Sequence, residues 1–110
     1  MFTFTTKIEA ATLISPANNA FNLDTFQTFN WNNVPYADNY EIQIDTKNTF
    51  DTPNLIISNI SQNSREVDKL LHDTLYYWKI RIKVNSEIGA WSDIWTFRTK
   101  LKEPTLELPT

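Results

Sequence analysis

The sequence predicts an all-β fold, a seven-stranded antiparallel β-sandwich. Apolar and polar residues alternate with a period of two in short runs, which is the pattern of strands that bury one face. Clusters of Asn, Asp, Pro and Ser separate these runs and predict tight connections. Four Trp, four Tyr and seven Phe can bury enough surface for the core of a domain of about 90 residues.

In chain order, the predicted strands cover residues 11–14, 27–31, 39–45, 55–58, 64–67, 76–84 and 91–99. The first strand ends at Ser15-Pro16, and the second carries Phe29 and Trp31 on its inner face. The sixth strand is the clearest, because each of its even positions is apolar or aromatic. The predicted core consists of Phe29, Trp31, Tyr40, Ile42, Ile44, Leu70, Tyr76, Trp78, Ile80, Ile82, Trp95 and Phe97.

The third and sixth predicted strands carry opposite charges on their outer faces. Those side chains are Glu41, Gln43 and Asp45 on the third strand and Lys79, Arg81 and Lys83 on the sixth. If the two strands are neighbours, each facing pair of opposite charges stabilises the sheet by a few tenths to about 1 kcal/mol. The simplest interpretation is solvated charge on an exposed sheet face.

Composition excludes several functional classes. With no cysteine, the chain has no disulfide, no thiolate nucleophile and no Cys-based zinc site. A net charge of −3 and a pI near 5.0 argue against binding to nucleic acid or to an anionic membrane. No apolar run approaches the roughly 18 residues of a membrane helix, and the N-terminus lacks the pattern of a signal peptide.

Two segments of the chain are versions of one another. Residues 2–16 match residues 95–109 at a constant offset of 93, with seven of the fifteen positions identical. An ungapped recurrence at one offset is typical of repeat arrays. We therefore expect one module of a tandem array. Its predicted parts are a remnant of the preceding repeat or a tag-like extension at residues 1–8, the domain at 9–100, and a linker with the first strand of a following repeat at 101–110.

The landmarks of this domain resemble those of the fibronectin type III domain, an immunoglobulin-like sandwich. Trp31 fits the tryptophan of that family's strand B. Leu70, Thr74 and Tyr76, followed by alternating apolar residues, fit the corner between its strands E and F. The resemblance implies that Tyr76 has a buried ring and that its hydroxyl bonds to loop backbone upstream.

The resemblance covers about residues 9–100 and departs from the family at one point. His72-Asp73 stands where the family usually has Pro-Gly. The whole set of landmarks is most similar to repeats of large bacterial cell-surface and secreted proteins. Such domains are usually spacers, adhesive modules or accessory units beside a catalytic domain.

The sequence predicts no catalytic, cofactor or metal site. His72 stands in a predicted tight loop without a positioned partner, and the one glycine, Gly89, cannot build a nucleophile elbow or a phosphate loop. The loop at residues 45–51 spaces three oxygen-bearing side chains, but calcium takes about six to eight oxygen ligands, so a turn is favoured. Asn59-Ile60-Ser61 matches the N-glycosylation triplet, which matters only in a eukaryotic secretory pathway.

One candidate surface is aromatic. Trp91-Ser92 with Trp95 resembles the tryptophan–serine box of cytokine receptors, with the second Trp one position late. Together with Tyr77 and Tyr36, Trp91 could offer a stacking surface to a sugar or a peptide. The competing interpretation is ordinary covering of a sheet edge.

These observations favour a non-catalytic structural or adhesive spacer, or protein-interaction module, of a multidomain extracellular or cell-surface protein. The alternative is an accessory carbohydrate-binding or spacer domain of a secreted polysaccharide-active enzyme, and a cytokine-receptor-like ligand-binding domain is a third and weaker interpretation. The expected partners are neighbouring repeats of the same chain, with another protein or a glycan as a further partner. We expect a monomeric module with no cofactor, no nucleic-acid partner and no membrane insertion.

Overall fold

The computed structural model describes residues 10–34, 36–50, 55–85 and 87–102. Within these ranges the chain forms nine strands and no helix. The strands are β1 (Leu13–Ser15), β2 (Ala20–Leu23), β3 (Gln27–Trp31), β4 (Asn39–Asp45), β5 (Leu55–Ile60), β6 (Ser64–Val67), β7 (Leu75–Val84), β8 (Glu87–Ile88) and β9 (Trp95–Thr99).

The strands form two facing sheets. The smaller sheet has the order β1-β3-β6, and the larger has the order β2-β9-β7-β4-β5, with β8 paired to β7. All pairs are antiparallel except β2 with β9, which is parallel. The predicted fold class, an antiparallel β-sandwich, is therefore confirmed.

The prediction of seven strands was wrong in number, because β2 and β8 were missed. β2 has a register shift and a left-handed residue, Asn22 at φ 59°, so its residues do not alternate regularly. β8 is only two residues long. The strand predicted at 91–99 begins at Trp95, whereas β3, β4 and β6 have the predicted bounds.

The core lies between the sheets and is built on aromatic contacts. The Phe29 ring centroid lies 4.9 Å from that of Trp78 and 5.6 Å from that of Phe97, both in edge-on geometry. Trp31 is fully buried and packs edge-on to Tyr40 at 5.4 Å. The indole N–H groups of Trp31 and Trp78 have no acceptor within the described part of the chain.

Every predicted core residue except Trp95 is buried. Trp95 is only half-buried and packs edge-on to Trp78 at 6.3 Å. On the other side of β9, the edge strand β2 begins at Ala20 opposite Phe97, so it does not reach Trp95, which pairs only with Trp78 of β7.

The predicted tyrosine corner is confirmed. The Tyr76 hydroxyl accepts a hydrogen bond of 2.8 Å from the backbone N–H of Leu71, and its ring is buried. Asp73 supplies the left-handed conformation that the family's glycine would supply, with φ 51°. Asp tolerates this region better than most residues, so the loss of Pro-Gly leaves the corner intact. The Asp73 N–H donates to the Lys100 carbonyl at 2.9 Å.

Candidate functional site

The outer face of the larger sheet is not the solvated surface that the charge pattern suggested. β4 and β7 are neighbours, which meets the condition for cross-strand charge pairs, and Glu41 lies opposite Arg81. Yet Glu41 and Asp45 are both buried. The reason is that neighbouring loops carry side chains across this face and shield it from water.

The segment between β8 and β9 supplies part of this cover through Trp91. It is held to β7 by backbone bonds from Gly89 N–H to the Ile82 carbonyl (2.8 Å) and from Ser92 N–H to the Ile80 carbonyl (2.7 Å). The Ser92 hydroxyl oxygen accepts the Ile80 N–H at 2.9 Å. These hydrogen bonds place Trp91, the residue before Ser92, over the side chains of β7.

Cations and aromatic rings interleave beneath this segment. The Lys79 ammonium lies 4.2 Å from the centroid of the Trp91 ring and 4.3 Å from that of Phe50. The Arg81 guanidinium lies 4.5 Å from the Trp91 centroid. Such contacts are worth about 0.5–1 kcal/mol each at exposed sites and more when desolvated. We call Phe50, Lys79, Trp91, Arg81 and Glu41 the outer-face stack.

Glu41 balances the positive charges of Arg81 and Lys83. Its carboxylate lies 3.0 Å from the Arg81 guanidinium and 3.6 Å from the Lys83 ammonium. The Ser58 hydroxyl and the Gln43 amide also donate to it, at 3.3 and 3.2 Å. A buried carboxylate with this many donors is compensated rather than poised for chemistry.

Lys79 has an altered protonation equilibrium. Burial lowers the pKa of its ammonium below the ordinary value of 10.5, because desolvation disfavours the charged form. The charge of Arg81 lowers this pKa further, whereas Glu41 opposes the shift.

The structure brings two of the three predicted ligand-facing aromatics to one sheet face. Trp91 and Tyr77 both lie on the outer face of the larger sheet, and both are half-buried. Tyr36 is 44% exposed and stands in the loop before β4, at the end of the sandwich. The role of all three in ligand binding stays a prediction.

The remaining candidates occupy loops. His72 is exposed at the tyrosine corner, with its Nδ1 3.3 Å from the Lys100 carbonyl oxygen. Asp45 accepts the N–H of Thr46 at 2.7 Å, which is turn chemistry, and Asp51 lies outside the described residues. Asn59 is exposed at φ 60° in β5.

Two negative findings apply to the described ranges. No three acidic or histidine side chains there gather closely enough to hold a metal ion. No helix there has the length and apolar character needed to cross a membrane.

Sequence reasoning missed the outer-face stack itself. The signal that could have found it is the pair of cations two residues apart, Lys79 and Arg81, followed by the Trp91-Ser92 dipeptide. A loop tryptophan near two outward cations predicts stacking as readily as it predicts a free binding surface.

Two open grooves lie away from the outer-face stack. One, of about 380 Å³, is polar and is lined by residues of the β5–β6 hairpin from Asn59 to Glu66. The other, of about 410 Å³, lies beside the tyrosine corner and is lined by Leu55, Asp68, Lys69, Leu70, Leu71 and Tyr76.

The comparisons with known proteins identify the fold. No family model matches the chain, and no curated protein matches it. Solved structures do. A Fn3-like protein from Clostridium thermocellum is 21% identical, with a TM-score of 0.67 over 94% of this chain and 100% of that one. The fn3 domain of human contactin 1 is 16% identical, with a TM-score of 0.68 over 96% of this chain and 92% of that one.

A structure of the FN1-FN3 domains of chicken CNTN1 matches as well, at 14% identity with a TM-score of 0.59. This match covers 84% of the present chain but only 33% of the other. Identities this low carry the architecture alone. The chain has the fibronectin type III fold.

Proposed function

We propose that this chain is a non-catalytic spacer or adhesive module of a multidomain extracellular or cell-surface protein, joined in tandem to similar modules. The observation that carries the proposal is the position in the fold of the two segments that recur at an offset of 93 residues. Residues 95–99, which recur at 2–6, form β9, the last strand of the sandwich. Residues 13–15, which recur at 106–108, form β1, the first.

A tandem array requires this placement. A module cut from an array with short flanks would carry the last strand of the module before it and the first strand of the module after it. The chicken CNTN1 structure, whose FN1-FN3 domains this chain matches over a third of that length, offers a precedent for such domains following one another in a chain.

The geometry of the outer-face stack supports a non-catalytic role. Its charged groups are engaged with each other and with aromatic rings: Glu41 meets Arg81 and Lys83, while Lys79 meets Phe50 and Trp91. None of these groups lines either groove described above. An array of such modules would act as a stalk or as a display of binding faces.

Amide hydrogen exchange tests the proposal, by comparing the 110-residue chain with a chain trimmed to residues 9–101. We expect the same core protection in both, with fast exchange at residues 2–7, because a strand of a preceding module has no sheet of its own here. Slow exchange at residues 2–7, together with destabilisation of the trimmed chain, would make that segment a strand of this domain and refute the array.

The alternative, a carbohydrate-binding accessory domain, would use Trp91, Tyr77 and Tyr36 as its stacking surface. Trp91 is already stacked with Lys79 and Arg81, which leaves Tyr36 as the most exposed ring of the three. Affinity electrophoresis through gels containing soluble cellulose, xylan or chitin derivatives separates the two functions. The spacer predicts unchanged mobility, whereas retardation that Tyr36→Ala abolishes would favour the alternative.

A further inference from the structure

Three large apolar side chains are exposed to solvent at one end of the sandwich. Phe26 is 50% exposed, Leu71 is 64% exposed and Leu101 is 68% exposed. They belong to the β2–β3 connection, the tyrosine corner and the segment after β9. Single exposed apolar residues need no explanation, but several together mark an interaction surface.

Hydrogen bonds hold these three segments side by side. The Leu70 N–H donates to the Thr25 carbonyl at 3.0 Å, which ties the tyrosine corner to the residue before Phe26. The Thr99 hydroxyl donates to the Leu71 carbonyl at 2.5 Å, which ties the same corner to the end of β9. Phe26, Leu71 and Leu101 therefore share the C-terminal end of the module, and we call them the end patch.

The end patch borders the groove of about 410 Å³ at the tyrosine corner. Leu71 belongs to both, and the groove is also lined by the apolar groups of Leu55, Leu70 and Tyr76. A concave apolar surface beside exposed apolar side chains is suited to receiving a protruding apolar side chain from a partner.

We propose that the end patch and its groove are the docking surface for the following module of the same repeat. The inference rests on the proposed tandem array, and the length of the linker supplies its argument. Thr99 ends β9, and residue 106 is the counterpart of Leu13, which begins β1. Seven residue steps span about 24 Å at most, so the first strand of the next module stays close to the patch.

The chain also shows what the partner surface would contain. In a second copy of this chain, the surface that follows the linker is the N-terminal end of the module. That end carries Tyr36, 44% exposed before β4, and Ile88, 51% exposed in β8. An apolar C-terminal end meeting an apolar N-terminal end is a heterologous contact that repeats along an array without closing on itself.

A tandem chain tests the docking surface. Residues 1–102 followed by residues 10–110 keep both modules whole and place the second Leu13 seven positions after Thr99, as in the recurrence. Calorimetry would compare its unfolding temperature with that of the 110-residue chain. Docking predicts that the tandem chain unfolds about 4 °C or more higher, and that NMR relaxation shows the two modules tumbling as one body.

Variants locate the effect. Leu71→Ser and Leu101→Ser in the first module should remove most of this gain, yet change the single chain little, because both side chains are exposed there. Phe21→Ser is the matched control, since Phe21 is 76% exposed but lies on the edge strand β2. It should shift the tandem and single chains equally.

The outcomes separate failure of the docking surface from failure of the array. Two folded modules that tumble independently, with no gain in unfolding temperature, would refute docking and leave the array standing. A second module that fails to fold would refute the array register itself.

Equal losses from Leu71→Ser in both chains would mean that the patch is covered within one module. A single chain that sediments as a dimer until Leu71→Ser is introduced would place a second copy there in trans. Either result would overturn the proposal.

Discussion

Trp31 fills the centre of the core without any polar compensation. Its side chain is fully buried, packs on Tyr40 and leaves its indole N–H without an acceptor within the described residues. Trp31→Ala should therefore cost about 3–5 kcal/mol of unfolding free energy, because it opens a large cavity. Urea denaturation measures the loss, with Phe21→Ala at an exposed position as the control. A loss below about 1 kcal/mol would contradict the packing described here.

Tyr76 stabilises the corner through one hydroxyl group. Tyr76→Phe keeps the ring but leaves the Leu71 N–H without its acceptor, so we expect a loss of about 1 kcal/mol or more. Tyr77→Phe is the matched control, because Tyr77 lies on the opposite face of β7 and is only half-buried. If Tyr76→Phe and Tyr77→Phe are equally stable in urea, the hydrogen bond of the Tyr76 hydroxyl makes no measurable contribution to the free energy of unfolding.

Lys79 makes stability depend on pH in the alkaline range. Its pKa is lower in the folded chain than the ordinary 10.5, so the unfolded chain binds more protons between the two values. Stability contributed by this group therefore rises with pH through that window. Relative to Lys79→Met, the wild type should become more stable as the pH approaches 10.5.

Urea titrations at pH 7 and at pH 10 measure this difference. The control is Lys47→Met, which removes an exposed lysine in the loop after β4. A Lys79→Met difference that is the same at both pH values would contradict the burial of this ammonium in the outer-face stack.

At the scale of the element, the segment from Gly89 to Ile94 substitutes for a strand. It pairs with β7 at Ser92, where the side-chain oxygen accepts the N–H of Ile80. Ser92→Ala leaves that buried N–H without a partner, so we expect a loss of about 1–3 kcal/mol in urea. Ser61→Ala, at an exposed loop serine, is the control. A loss no larger than that of the control would mean that the backbone hydrogen bonds and Trp91 hold the segment in place without the Ser92 hydroxyl.

The strands and the core were predictable, whereas the outer-face stack was not. Strict alternation in β4 and β7 fixes which side chains point inward, and a one-residue error would place every apolar group in water. The cover on the outer face depends instead on two loops distant in sequence. One of them places Phe50 at φ 55°, a left-handed conformation for which a phenylalanine gives no signal.

The candidate site was predictable in part for the same physical reason. Trp91, Tyr77 and Tyr36 are recognisable as aromatic residues outside the alternating core, but the cation pair and the Trp91-Ser92 dipeptide are equally compatible with stacking and with a free binding surface. The left-handed Asn22 hid β2 for a similar reason, since it breaks the period of two.

At the scale of the molecule, one core joins both sheets. Phe29 of β3 contacts Trp78 of β7 and Phe97 of β9, so neither sheet can separate without exposing the same aromatic cluster. We expect a single cooperative unfolding transition. Near-ultraviolet and far-ultraviolet circular dichroism should report the same urea midpoint. Two midpoints would show that one sheet opens before the other.

The unpaired indoles of the core also have an optical consequence. Trp31 and Trp78 are shielded from water and donate no hydrogen bond within the described residues, so polar relaxation around their excited states is small. Their emission should therefore lie toward the blue end of the tryptophan range and shift to longer wavelength when the sandwich opens. Trp31 and Trp78 are therefore intrinsic fluorescence probes at the contact between the two sheets, and their emission can report when the sheets separate.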